Sequence, residues 1–217
     1  MAEIKFCGLT RAVDAEFAGG VGAAYLGVIF AGGPRALEPE RAADVLDGCT
    51  TAAERVGVFG RALPDEIARI ARTARLDVIQ MHADPGAADI AAVRERTGAK
   101  LWAVVRVGSE LPPDIDELFD AADAVLIDAR VDGSLGGNGV RVDWEALRPA
   151  LVAKRRGARR VVLAGGLAPG NVAEAVATLR PDVVDVSSGV ESAPGIKDHA
   201  RMRAFAAAVA GAGQERR

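Results

Sequence analysis

Eight short apolar runs rich in β-branched residues alternate with eight Ala/Arg/Glu-rich stretches of helical character, with no linker or low-complexity break between them. The apolar runs lie near 3–7, 24–30, 55–59, 76–81, 100–107, 123–128, 159–164 and 183–187, and the helical stretches near 11–19, 38–47, 64–74, 86–97, 113–120, 143–155, 169–179 and 198–210. Each β-then-α unit has about the length that a crossover between parallel strands requires. Early prolines and acidic caps (Pro39, Pro64, Asp65, Pro85, Pro113, Asp143 and Pro169) mark helix starts. Eight such units in 217 residues favour a single closed (β/α)8 TIM barrel of eight parallel strands over 1–217. An open doubly wound sheet is the alternative that periodicity leaves standing. The small, polar segment 211–217 is expected to be a flexible tail.

Charge and cysteine usage narrow the partners. The formal net charge of −3 suggests no polyanion-binding surface, so nucleic acid is not expected. Two cysteines far apart, Cys7 and Cys49, read as free thiols in a reducing compartment. Met1 to Lys5 runs directly into a strand, and no apolar run approaches the roughly 20 residues that span a bilayer, so a soluble cytoplasmic protein without membrane contact is expected.

In a barrel of this kind the reactive groups sit at the C-terminal ends of the strands. Side chains alternate between the interior and the helix layer with a period of two. Cys7 ends the first apolar run, immediately before Gly8. Placing it inward also turns Lys5 inward. The same parity directs Gln80 and His82, Arg106, Asp128, and Asp185 and Ser187 to the interior. Lys5, Cys7, His82, Arg106, Asp128 and Asp185 then converge on one mouth. A thiol and a carboxylate at two strand ends suit acid–base chemistry, with the thiol working as thiolate.

Glycine-bearing loops follow the last three strands: Gly133 to Gly139, Ala164-Gly165-Gly166-Leu167, and Ser187-Ser188-Gly189-Val190-Glu191. Glycine lets main-chain N–H groups approach an anion closely, and barrels often bind phosphate after strands seven and eight. Gly137, Asn138, Gly139, Gly165, Gly166, Ser188 and Gly189 are therefore candidate phosphate contacts. No dinucleotide fingerprint follows the first strand, and two histidines, His82 and His199, offer no metal-ligand cluster. No cofactor and no metal are expected.

Lys5-Phe6-Cys7-Gly8-Leu9-Thr10, Gln80-Met81-His82, Leu126-Ile127-Asp128, Gly136-Gly137-Asn138-Gly139, Asp143-Trp144, Leu163-Ala164-Gly165-Gly166-Leu167, Asn171-Val172, and Val184-Asp185-Val186-Ser187-Ser188-Gly189-Val190-Glu191 occur in order along the chain. Pro194-Gly195 and Lys197-Asp198 follow. Together these strings resemble phosphoribosylanthranilate isomerase over almost the whole length. The resemblance implies a cofactor-free (β/α)8 barrel acting in tryptophan biosynthesis on a small phosphoribosyl substrate, as a monomer or homodimer. It implies an Amadori rearrangement with Asp128 as general acid and Cys7 as general base. The acid would need a raised pKa, which burial could supply, and the thiol would need help towards thiolate from Lys5 or main-chain N–H groups. Arg35, after the second strand, would grip the anthranilate carboxylate in a bidentate fork. Asp185 would bond a ribose hydroxyl or pair with Lys5, and His82 would contact substrate or satisfy strand-end groups. Two other readings compete: another phosphosugar-binding barrel enzyme, such as a ribulose-phosphate epimerase or an indole-glycerol-phosphate synthase, and a non-catalytic barrel that binds a phosphometabolite.

Overall fold

The computed structural model describes residues 1–107, 110–129, 144–154 and 160–214. Eight parallel strands close into a barrel in sequence order: β1 (Glu3–Phe6), β2 (Tyr25–Ile29), β3 (Glu54–Phe59), β4 (Val78–Met81), β5 (Lys100–Val107), β6 (Ala124–Ala129), β7 (Arg160–Ala164) and β8 (Val183–Val186). Closure is made by β1 on β8, where Lys5 lies opposite Asp185 and Phe6 opposite Val186. The open-sheet alternative is thereby excluded. The helices between and after the strands are α1 (Ala12–Gly20), α2 (Pro39–Asp47), α3 (Pro64–Ala74), α4 (Ala87–Arg94), α5 (Ile115–Ala121), α6 (Trp144–Lys154), α7 (Val172–Leu179) and α8 (His199–Gln214).

Strand parity divides the apolar residues into two buried sets. Tyr25, Val56, Val78, Trp102, Val104, Ala124, Leu126, Val162 and Val183 fill the inside of the barrel. Ile4, Phe6, Leu26, Val28, Ile79, Leu101, Val125, Ile127, Leu163 and Val184 pack outward against the helices. The Tyr25 and Trp102 rings meet edge to face inside the barrel, 4.9 Å between centroids. Packing fills the middle with apolar side chains, so polar groups of inward parity are left at the two ends.

Two expectations change. The chain does not become a free tail at Gly211, because α8 continues to Gln214 and Ala212 is buried in the core. The final βα connection also carries structure that strand periodicity did not signal. A 3-10 turn over Ser188–Val190 leads into an antiparallel hairpin of β9 (Glu191–Ala193) and β10 (Ile196–Lys197). Gly195, with φ of 79°, takes the left-handed turn position between them. No described helix is long and apolar enough to cross a membrane.

Candidate active site

Cys7 follows β1 and remains tied to the barrel wall, its N–H donating to the Val186 carbonyl at 2.9 Å. Its sulfur points inward over Gly27 of β2. A Cβ on Gly27 would lie 3.1 Å from both Cα and Sγ of Cys7 and 3.3 Å from Cε of Lys5. Glycine at 27 therefore leaves the room that these two side chains occupy. Lys5 is fully buried and donates to Oδ2 of Asp185 at 2.8 Å. Of the two roles open to Asp185, the pairing with Lys5 is thus formed, while Oδ1 has no hydrogen-bond partner among the described residues.

Burial pushes the Cys7 thiol above its ordinary pKa, and the pull of Lys5 and Lys197 towards thiolate does not offset it. The surroundings of Cys7 therefore favour the thiol over the thiolate. Burial opposes the charge on Lys5, but Asp185 and the Cys7 sulfur outweigh it, so Lys5 titrates above its ordinary value and stays an ammonium.

Asp128 stands on β6 with inward parity, in register with Ala164 on β7 and Arg106 on β5, and is 2% exposed. Around the barrel, β6 is separated from β1 by β7 and β8, so Asp128 and Cys7 face the same mouth from different sides. Nε2 of His82, just after β4, lies 4.0 Å from Oδ2 of Asp128. Arg106 lies opposite Asp128 on β5. Its exposed side chain turns to Asp84 and to the carbonyl of His82.

The loops after β7 and β8 lie against one another. A Cβ on Gly189 would sit 1.9 Å from the Leu167 carbonyl oxygen, so only glycine permits this approach. Gly165 and Gly166 both have positive φ, at 91° and 64°. Asn171 holds the first loop, accepting from Ala168 N–H at 2.8 Å and donating to the Gly166 carbonyl at 3.0 Å. Gly165, Gly166, Ser188 and Gly189 are thus brought together, whereas Gly137, Asn138 and Gly139 lie outside the described residues.

Arg35, after β2, crosses Gly8: a Cβ there would fall 2.7 Å from Arg35 Cδ, and the φ of 69° at Gly8 also favours glycine. Its fork is occupied by an acceptor that the sequence reading gave no role. Nε donates to Glu191 Oε1 at 2.8 Å and Nη2 to Oε2 at 2.6 Å. Lys197, also given no role, is buried and donates to Glu191 Oε1 at 2.9 Å, to the Cys7 carbonyl at 2.6 Å and to the Ser187 carbonyl at 3.2 Å. Thr10 fastens the same hairpin by donating to the Gly195 carbonyl at 2.5 Å. The signal available in the sequence was an acidic and a basic residue flanking a Pro-Gly turn, Glu191 and Lys197 around Pro194-Gly195.

A model of the family described as N-(5'phosphoribosyl)anthranilate (PRA) isomerase matches residues 4–208. The chain belongs to this family. A relative from Paracoccus denitrificans, named N-(5'-phosphoribosyl)anthranilate isomerase, is 43% identical over 213 residues, covering 94% of this chain and 95% of the relative. The crystal structure of phosphoribosyl anthranilate isomerase from Thermotoga maritima superposes with a TM-score of 0.85 at 32% identity, over 97% of this chain and 100% of that one. A crystal structure of the isomerase in complex with reduced 1-(o-carboxyphenylamino)-1-deoxyribulose 5-phosphate matches with a TM-score of 0.82 at 30% identity, over 97% and 100% of the two chains. The chain is thus a phosphoribosylanthranilate isomerase by family, an isomerase of tryptophan biosynthesis.

Proposed function

We propose that the chain converts N-(5-phosphoribosyl)anthranilate into 1-(o-carboxyphenylamino)-1-deoxyribulose 5-phosphate, with Asp128 as general acid and Cys7 as general base. The observation that carries this reading is the placement of a buried thiol and a buried carboxylate at one barrel mouth, on strands separated by two others. Asp128 delivers a proton to the furanose ring oxygen as the C1–O bond breaks. The nitrogen lone pair then forms the C1–N double bond of an iminium. Cys7 as thiolate takes the proton from C2. The C2–H electron pair becomes the C1–C2 double bond, and the iminium π pair returns to nitrogen. The enolamine gains a proton at C1 and loses one from the C2 hydroxyl, giving the ketone. One acid and one base suffice for this sequence.

The raised pKa of Cys7 bears on timing. Burial favours the neutral thiol. The iminium places a positive charge one bond from the reacting carbon, which favours thiolate at the step that needs it. The substrate phosphate is bound by Gly165, Gly166, Ser188 and Gly189, with Gly137, Asn138 and Gly139 as its further contacts. Arg35 holds the anthranilate carboxylate, His82 contacts the substrate beside Asp128, and Oδ1 of Asp185 takes a ribose hydroxyl. No cofactor takes part. The protein acts in the cytoplasm as a monomer or homodimer, which sedimentation at micromolar concentration decides.

Substitution at both centres tests the assignment. Cys7→Ser and Asp128→Asn should each lower kcat by about 10²–10⁴-fold, the range for a lost general acid or base. The reduced product analogue should bind nearly as before. Either variant within about threefold of the parental kcat would remove that residue from the mechanism. Growth of a tryptophan auxotroph lacking the isomerase, when this chain is supplied, tests the overall reaction.

A further inference from the structure

The carboxylate of Glu191 is buried, yet it faces the mouth region through Arg35 and takes no proton-transfer role in the mechanism above. It accepts from Arg35 Nε and Nη2, from Lys197 Nζ and, at 3.3 Å, from Gly195 N–H. Three of these donors meet Oε1 and one meets Oε2, so the protein's own groups hold the carboxylate as an acceptor. Its own place is fixed from behind: Arg201 donates to the Glu191 carbonyl at 2.5 Å, and the hairpin is clamped to the end of β1 by Lys197 and Thr10. Burial pushes the Glu191 carboxyl upward, but Arg35 and Lys197 outweigh it and hold it below the ordinary glutamate range, so it is ionised at neutral pH.

Arg35 presents five N–H donors in a planar fork. Glu191 engages the Nε/Nη2 edge. Nη1 makes no hydrogen bond to the described residues, and the second N–H of Nη2 shares that outer edge with it. Arg35 would otherwise be a long side chain in a glycine-bearing loop, with the rotamer freedom typical of arginine. Fixing one edge determines the plane and direction of the other. The three formal charges of Lys197, Glu191 and Arg35 sum to +1, so the cluster as a whole still attracts an anion.

We propose that Glu191 is the positioning residue of Arg35: by binding one edge of the guanidinium it aims the opposite edge at the substrate, and so sets the preference for an aromatic amine bearing an ortho carboxylate. Lys197 supports it by supplying the buried counter-charge that lets Glu191 remain ionised and by fixing the hairpin to the Cys7 and Ser187 carbonyls. The inference rests on the reading of Arg35 as the carboxylate grip, and its test separates the two.

The measurement is calorimetric titration with two ligands, reduced 1-(o-carboxyphenylamino)-1-deoxyribulose 5-phosphate and the same molecule without the carboxylate. The parental enzyme should prefer the carboxylated ligand by about tenfold or more, the worth of a charge-assisted hydrogen bond. Arg35→Ala should abolish that preference. If it does not, the grip reading fails and the inference falls with it. Glu191→Gln should lower the preference by about three- to tenfold while leaving affinity for the ligand without the carboxylate unchanged. A preference unchanged in Glu191→Gln but lost in Arg35→Ala would leave the grip standing and overturn the positioning role. Equal loss for both ligands would mean a merely structural role and would also overturn it. Should Glu191→Gln fail to fold, Glu191→Gln combined with Lys197→Met removes both buried charges together and is read by the same ratio.

Discussion

The Lys5–Asp185 pair inside the barrel makes a prediction in which stability and activity come apart. Lys5 has no exposed side-chain surface and Asp185 only 7%, and they meet at 2.8 Å between β1 and β8, the strands that close the barrel. Lys5→Met strands a buried carboxylate, which typically costs about 3–5 kcal/mol. In a domain of this size each kcal/mol moves Tm by about 2–4 °C, so a fall of roughly 6–20 °C is expected. Asp185→Leu should cost a similar amount by stranding the ammonium. Lys5→Met with Asp185→Leu removes both charges, and similar-volume apolar replacements of buried pairs are about neutral or better, so most of the loss should return. Activity should not return with it. Lys5 is the strongest influence pulling the Cys7 thiol towards thiolate against burial, and its loss raises that pKa further. The ascending limb of kcat/KM against pH should move to higher pH in both Lys5 variants. Urea unfolding gives the stability cycle, and steady-state rates across pH give the second readout. A single variant costing under about 1 kcal/mol, or a double variant no more stable than the singles, would refute the account of a charged buried pair. An unmoved limb would refute the link from Lys5 to Cys7.

Gly189→Ala should drive the loops after β7 and β8 apart, because its Cβ would overlap the Leu167 carbonyl, and KM should rise about tenfold or more while kcat changes less. A parental KM would separate these loops from phosphate binding, as would a phosphate-soaked crystal with the ion elsewhere. Thermal unfolding should weaken in acid. Glu191 and Asp14 are held below their ordinary values of 4.5 and 3.8, so the stability they contribute is present above those values and lost as pH falls through the lower folded-state ones. Glu191→Gln should flatten that acid slope, and an unaltered slope would count against an ionised Glu191. Turnover should survive exhaustive chelation, since the rearrangement uses only acid and base, and activity restored to a chelated sample by a divalent ion would overturn this.

Local patterning was enough to make the barrel legible. Alternation within Val183–Val186 or Lys100–Val107 separates two faces, and eight such runs with helices between them leave few arrangements that bury both. The same parity placed Cys7, Lys5, Asp128 and Asp185 inward, because the register of a half-buried strand is set by its own side chains. Arg106 shows the limit: its parity matched, but its side chain is exposed and pairs with Asp84, a partner that parity does not give. The sequence also placed glycines at 165, 166 and 189, while the overlap that makes Gly189 obligatory depends on a carbonyl in another loop. Contacts between residues distant in the chain belong to the tertiary structure alone. Only the folded chain sets Arg35 on Glu191 and Lys197 under the Cys7 carbonyl, and only burial within it lifts the thiol above its ordinary pKa. Periodicity carries which face a side chain takes, whereas partners across the barrel and the solvent they exclude arise when all eight strands have closed.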